Sequence, residues 1–161
     1  VYEGQLEEFV LRMKQPQHEA LTLAAGRILA QRIRQENHLP KSDLVTTIPM
    51  HWTRRFSRGV NSAAILAEAV ASELQLPLEL GVGRTIKMVP RQSSLTPSRR
   101  QRNMRGVFHI SSEFDLRGAH LLVIDDVLTT GATANAFAQA LRLAGAEQVA
   151  FAVVARGIGV Q

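Results

Sequence analysis

Residues 121–133 read LLVIDDVLTTGAT, and this stretch limits the fold more than any other part of the chain. Four aliphatic residues, Leu121 to Ile124, run together without a polar interruption, as in a strand buried on both faces of a helix-covered parallel sheet. The carboxylates of Asp125 and Asp126 follow at once, then a hydroxyl-rich turn with Thr129, Thr130, Gly131 and Thr133. The Ala-rich segment 132–144 has helical spacing, and Gly145 is placed to stop it. Strand, acid pair, turn and helix thus stand in unbroken register.

The rest of the chain supplies elements of the same class. Leu6, Phe9, Val10 and Met13 share one face of a helix predicted over residues 5–14, and residues 18–36 carry a second. Residues 37–42, with Pro40, read as a linker. The segment 43–49 reads as a short buried strand ended by Pro49. Residues 61–75 form a helix with Asn61 as its N-cap. Strands are expected at 78–86, 107–110, 120–125 and 148–156. This alternation implies an α/β fold with a mainly parallel central sheet flanked by helices. The organisation expected is one domain over residues 1–161, with an N-terminal helical segment at 1–36 and an α/β core at 43–156. Ligands of such sheets bind at the carboxyl ends of the strands, where Pro49, Asp125 and Arg156 are expected to meet.

A helix N-terminus offers unpaired N–H groups and a partial positive charge. Gly131 lets the main chain approach a ligand, and the threonine hydroxyls add donors. Thr129, Thr130, Gly131, Ala132 and Thr133 are therefore expected to cradle a phosphate monoester. Asp125 and Asp126 are unsuited to that phosphate but suited to accept hydrogen bonds from two vicinal hydroxyls. A ligand with a phosphate at one end and a cis-diol nearby is a ribose 5-phosphate. Competing phosphate motifs are absent: the chain contains neither G-x-x-x-x-G-K-[ST] nor G-x-G-x-x-G.

Charge supports an anionic ligand. The net charge is +5, and its placement is uneven. Arg84, Lys87, Arg91, Arg99, Arg100, Arg102 and Arg105 lie in a stretch free of Asp and Glu, as do Arg54, Arg55 and Arg58. Residues 87–106 are polar and turn-rich, and are expected to form a basic loop that closes over the site. The chain has no cysteine, which excludes disulfides and thiolate metal sites within it. No apolar run approaches the roughly 20 residues of a membrane span. Residues 1–20 carry charge throughout, so no leader peptide is expected, and the expected compartment is the cytoplasm.

VIDDVLTTGAT resembles the phosphoribosyl-pyrophosphate (PRPP) motif of type I phosphoribosyltransferases. The wider chain resembles the ComF/GntX-type branch. Tyr2, Gly4 and Lys14 match its opening pattern, and Pro49, Arg58, Gly59 and Asn61 match its P-x-H-x…R…RGFNQA segment. Gln92, Leu95, Arg102, Asn103 and Phe108 match its Q…L…RN…F loop. Val60 and Ser62 stand where that family has Phe and Gln, and the cysteine-rich zinc module of many members has no counterpart in this chain.

The resemblance implies that Asp125 and Asp126 hold the ribose hydroxyls, that residues 129–133 hold the 5′-phosphate, and that Pro49, Met50 and His51 meet the pyrophosphate. It implies Mg²⁺ with PRPP as the cofactor, with no direct protein ligand to the metal assigned, and phosphoribosyl transfer to an unidentified acceptor. No general base is assigned: Thr129 stands where purine-salvage relatives have Asp, and neither His51 nor His109 is assigned that role. Two other readings stay open, a PRPP- or nucleotide-sensing regulator and a competence factor for DNA uptake. The latter would use the arginines, with Trp52 and Phe56, on single-stranded DNA or act with competence proteins. A homodimer is compatible with each reading.

Overall fold

The structure, a computed structural model, describes residues 4–36, 41–49, 61–86 and 106–157. Helix α1 (Gln5–Met13) buries Val10 and Met13, and a 3₁₀ turn at Pro16–His18 leads into α2 (Glu19–Gln35). Thr22 ties this junction together: its buried Oγ1 donates to the carbonyls of Met13 at 3.1 Å and His18 at 3.3 Å. Strand β1 (Leu44–Thr47) precedes α3 (Ser62–Leu74), where Asn61 Oδ1 accepts the Ala64 N–H at 3.3 Å as the expected N-cap. Gln75 then ends α3 in the left-handed region at φ 57°.

Strands β2 (Gly83–Thr85) and β3 (Phe108–Ile110) are short. Strand β4 (His120–Leu128), helix α4 (Ala132–Leu143) and strand β5 (Gln148–Arg156) complete the chain. Gly145 follows α4 at φ 109°, the helix stop the sequence predicts.

The central sheet has the order β1-β4-β5, and both pairings are parallel. The four aliphatic residues Leu121–Ile124 of β4 are buried and alternate between two cores. Leu122 and Ile124 pack with Met13, Ala25, Leu66 and Val70 beneath α1, α2 and α3. Leu121 and Val123 pack with Val82, Leu116, Phe137 and Leu141 beneath α4. Each such side chain contributes roughly 1.5–3 kcal/mol on burial. The uninterrupted aliphatic run is therefore the signature of a strand with no solvent face.

The predicted strand at 78–86 divides in two. Val45 bridges Leu78 in parallel, with the Val45 N–H donating to Pro77 O and the Glu79 N–H to Val45 O. The Thr46 hydroxyl then takes the Glu79 carbonyl at 2.7 Å, so a side chain ends the ladder. The chain turns through Leu80 and Gly81, and β2 pairs antiparallel with β3, apart from the parallel sheet. Gly83 makes room there, since a Cβ at that position would lie 2.8 Å from the Phe137 ring. Strand β4 also runs past its expected end at Asp125 to Leu128, because β5 continues to pair with it as far as Arg156.

Candidate functional site

The site opens where β1 stops and β4 continues. The last β1 pairing is Thr47 with Ile124, and Pro49, which has no N–H, cannot extend the ladder. Asp125 and Asp126 are therefore the first β4 residues without a β1 neighbour, while β5 still supports them through Asp125–Val153 and Val127–Ala155. An open cleft of about 350 Å³ lies here, lined by Ile48, Asp125 and the run from Val127 to Ala134.

The turn from Thr129 to Thr133 is built around Gly131. Gly131 is the N-cap of α4 with φ 71° and ψ 0°, a left-handed conformation that residues with a Cβ resist. Its carbonyl accepts the Asn135 N–H at 2.8 Å and so starts the helix. No side chain caps α4 in the usual way, and the Ala132 N–H reaches only the Thr130 hydroxyl, at 3.4 Å. The first-turn N–H groups of Thr133 and Ala134 have no intrahelical acceptor. Thr129, Thr130 and Thr133 are exposed. Behind the turn, the Gly157 N–H donates to Leu128 O at 2.8 Å, clipping the ends of β4 and β5 together.

The two acids differ in environment. Asp125 follows Leu121 and Val123 on the α4 side of the sheet and lines the cleft. Burial, and next the charge of Asp126, push its carboxyl up to about 7. The Asp126 N–H, donating to Asp125 Oδ1 at 2.8 Å, and the Lys14 charge pull the other way without prevailing. Asp126 follows Leu122 and Ile124 on the opposite face. Its Oδ2 lies 3.0 Å from Lys14 Nζ and accepts the Ser62 hydroxyl at 3.0 Å. Lys14 is the C-cap of α1 and Ser62 the first residue of α3, so three elements converge on one carboxylate oxygen.

The other sequence-derived candidates are distributed as follows. Ala132 lies in the cleft wall with the threonines and Gly131. Pro49 is half-buried, and its carbonyl accepts the Thr85 hydroxyl at 2.8 Å. Arg84 is exposed on β2 opposite His109 and is not among the residues that line the cleft. Met50, His51, Lys87, Arg91, Arg99, Arg100, Arg102 and Arg105 lie outside the described residues. Among the described residues, no three His, Asp or Glu side chains are grouped to hold a metal ion, and no helix is long and apolar enough to cross a membrane. Sequence reasoning missed Ile48 as a wall residue, and it gave no role to Lys14 and Ser62. Their contact with Asp126 joins residues far apart in the chain, so no local pattern reports it.

Comparison with known proteins agrees with this architecture. The family model described as phosphoribosyl transferase domain matches residues 60–159. The DNA utilization protein YhgH of Salmonella typhi is 28% identical over 151 residues, covering 92% of this chain and 66% of that protein. Competence protein F of Haemophilus influenzae is 29% identical over 132 residues, covering 80% of this chain and 57% of that protein. The chain thus spans less than two thirds of the length of these curated relatives. Among solved structures, the purine phosphoribosyltransferase from Pyrococcus horikoshii superimposes with a TM-score of 0.53 at 20% identity, over 84% of this chain and 73% of that one. With its parallel sheet, its acid pair and its threonine-rich turn, the chain belongs to the phosphoribosyl transferase domain family, on the ComF-like branch.

Proposed function

We propose that this single domain binds PRPP, or a related ribose 5-phosphate compound, with Mg²⁺ and transfers the phosphoribosyl group to an acceptor. One observation carries the reading. The Thr129–Thr133 turn, with left-handed Gly131 at the start of α4, shares its cleft with the half-buried carboxylate of Asp125. Phosphate at the turn places a sugar along β4, within reach of a carboxylate able to accept hydrogen bonds from its hydroxyls. In this reading Mg²⁺ arrives with the ligand, whose diphosphate oxygens would hold the ion. Bound there, Mg²⁺ would offset charge on the departing pyrophosphate. The protein's own part is to grip the phosphate and orient the sugar.

The test is calorimetric titration of the protein with PRPP and MgCl₂, followed by pyrophosphate release with a panel of nucleobases and amines. Binding with release supports the transferase. Binding without release from any acceptor supports a sensor that keeps the site. No binding of PRPP or ribose 5-phosphate defeats both.

A second reading rests on the relatives named for DNA utilization and competence. It assigns the acid-free basic segments around Arg54–Arg58 and Arg84–Arg105 to a polyanion. Steeply salt-dependent binding of single-stranded DNA, lost on replacing Arg99, Arg100 and Arg102, would favour it. Asp125→Asn should leave such binding intact or improve it, because the change removes a negative charge.

A further inference from the structure

Two parts of the chain that are built separately meet beside the cleft. The first is the ribbon of β2 and β3, which lies apart from the parallel sheet. It is docked on α4: the Phe108 ring stands edge-on to the buried Phe137 ring with centroids 5.0 Å apart, and Gly83 lets the ribbon approach that ring. The Ile86 N–H donates to Val107 O at 2.8 Å and the Ser111 N–H to Val82 O at 2.9 Å, so hydrogen bonding continues past both ends of the short ladder. Helix α4 itself begins at Gly131. The ribbon therefore rides on the helix that opens the Thr129–Thr133 end of the cleft.

The second part is the chain that leaves β1. Its ladder with β4 ends at Thr47, and Ile48 goes on to line the cleft with Asp125. Pro49 has no N–H with which to hold a neighbouring strand. Its carbonyl accepts the Thr85 hydroxyl at 2.8 Å, in a partly buried contact between residues 36 apart in sequence. Arg84 and Ile86 are exposed, whereas Thr85 between them is half-buried and pairs with Phe108. Valine has nearly the shape of threonine and suits a strand as well. What threonine adds at this position is the donor.

We propose that Thr85 is a positioning residue: by holding the Pro49 carbonyl it sets where the Ile48 wall stands relative to the Thr129–Thr133 turn, and so governs the grip on whatever the ligand carries at its anomeric carbon. This rests on the ribose-phosphate reading of the cleft and deepens it. With the 5′-phosphate at the turn and the sugar beside Asp125, the anomeric end of the ring points away from the turn, toward Ile48. In PRPP that end carries the pyrophosphate, and in ribose 5-phosphate it carries only a hydroxyl. Thr85 acts through Pro49 and touches no ligand.

The experiment is calorimetric titration, with MgCl₂, of PRPP and of ribose 5-phosphate into the parent chain, Thr85→Val and Thr85→Ser. Thr85→Val is expected to weaken PRPP binding about tenfold, the scale of one hydrogen bond, and ribose 5-phosphate binding by no more than about twofold. Thr85→Ser keeps the donor and should bind both ligands as the parent does. Without ligand, the NMR signal of the Pro49 carbonyl carbon should move upfield in Thr85→Val and stay in place in Thr85→Ser.

Unchanged PRPP affinity or an unmoved carbonyl signal in Thr85→Val overturns the proposal. So does an equal loss for both ligands, which would mark Thr85 as a support of the fold in general. A Thr85→Ser variant as weak as Thr85→Val overturns it too, because the hydroxyl would then not be the cause. Should Thr85→Val fail to fold, Thr85→Ala removes the same donor without adding a methyl group and carries the same expectations. If the parent chain binds neither ligand, the ribose-phosphate reading falls and the proposal with it. A parent chain that binds PRPP, beside an indifferent Thr85→Val, sinks the proposal alone.

Discussion

The main-chain N–H of Asp126 donates to the Asp125 carboxylate at 2.8 Å, although the two side chains leave β4 on opposite faces. One hydrogen bond thus links an acid facing the cleft with an acid held by Lys14 and Ser62. The pair is a single electrostatic unit that spans the sheet, and its properties lead directly to the first prediction.

Asp125 retains its proton up to about pH 7 in the folded protein, whereas the unfolded chain releases it near 3.8. Between those values the folded state binds more protons than the unfolded state, so stability falls as pH rises from about 4 to about 7. Asp125→Asn removes this dependence. The variant should be more stable than the parent at pH 8, by on the order of 1–3 kcal/mol, and nearly equal to it below pH 4. Urea unfolding across pH 4–8 checks this, and an unchanged pH slope in the variant would refute the assignment.

Gly131 is required for its backbone conformation rather than for space. Its φ is 71°, yet a Cβ there would meet nothing nearer than the Asn135 amide at 4.0 Å. Gly131→Ala should therefore destabilise by about 1–2 kcal/mol, the ordinary penalty for an L-residue in the left-handed region. Gly131→Asn should be milder, because Asn tolerates that region. Thermal melting of the two variants, with PRPP titration of each, gives the comparison.

Gly26 is required for space. In the contact of α2 with α3, its Cβ would fall 2.6 Å from Ala69 Cβ and 3.0 Å from Leu66 O. Gly26→Ala should cost about 1–3 kcal/mol from overpacking, despite the better helix propensity of Ala. Adding Ala69→Gly should recover part of that loss. A double-mutant cycle by denaturant unfolding measures the coupling, and additive losses would contradict the contact.

Asn61 caps the helix that presents Ser62 to Asp126. Asn61→Ala should reduce stability by about 1 kcal/mol. It should also loosen the first turn of α3, visible as faster amide exchange at Ala64, whose N–H loses its side-chain acceptor.

Much of this architecture is written locally. The run Leu121–Ile124 announces a strand buried on both faces, the Ala-rich segment after Gly131 a helix, and Asn61 a cap, because each depends on residues within a turn or two of chain. The segment 78–86 was less legible. Its apolar composition suits a strand, but the Thr46 hydroxyl on the Glu79 carbonyl and the Gly83–Phe137 approach are tertiary events. The acid pair was legible as chemistry, whereas its partition was not. The Lys14–Asp126 contact arises only when α1 has packed against the sheet, and no periodicity encodes that. The expected pyrophosphate-loop residues Met50 and His51 and the basic stretch from Lys87 to Arg105 lie outside the described residues.

The parallel register of β1 with β4 has an evolutionary corollary. Leu44 sits beside Leu121, so everything from α3 through β3 is an excursion inserted between two adjacent strands. Closing a longer excursion is thermodynamically mild, roughly 0.6 kcal/mol for each doubling of its length. Descendants of such a chain can therefore lengthen, shorten or rewrite that intervening stretch, while the sheet that carries Asp125 and Asp126 keeps its alignment.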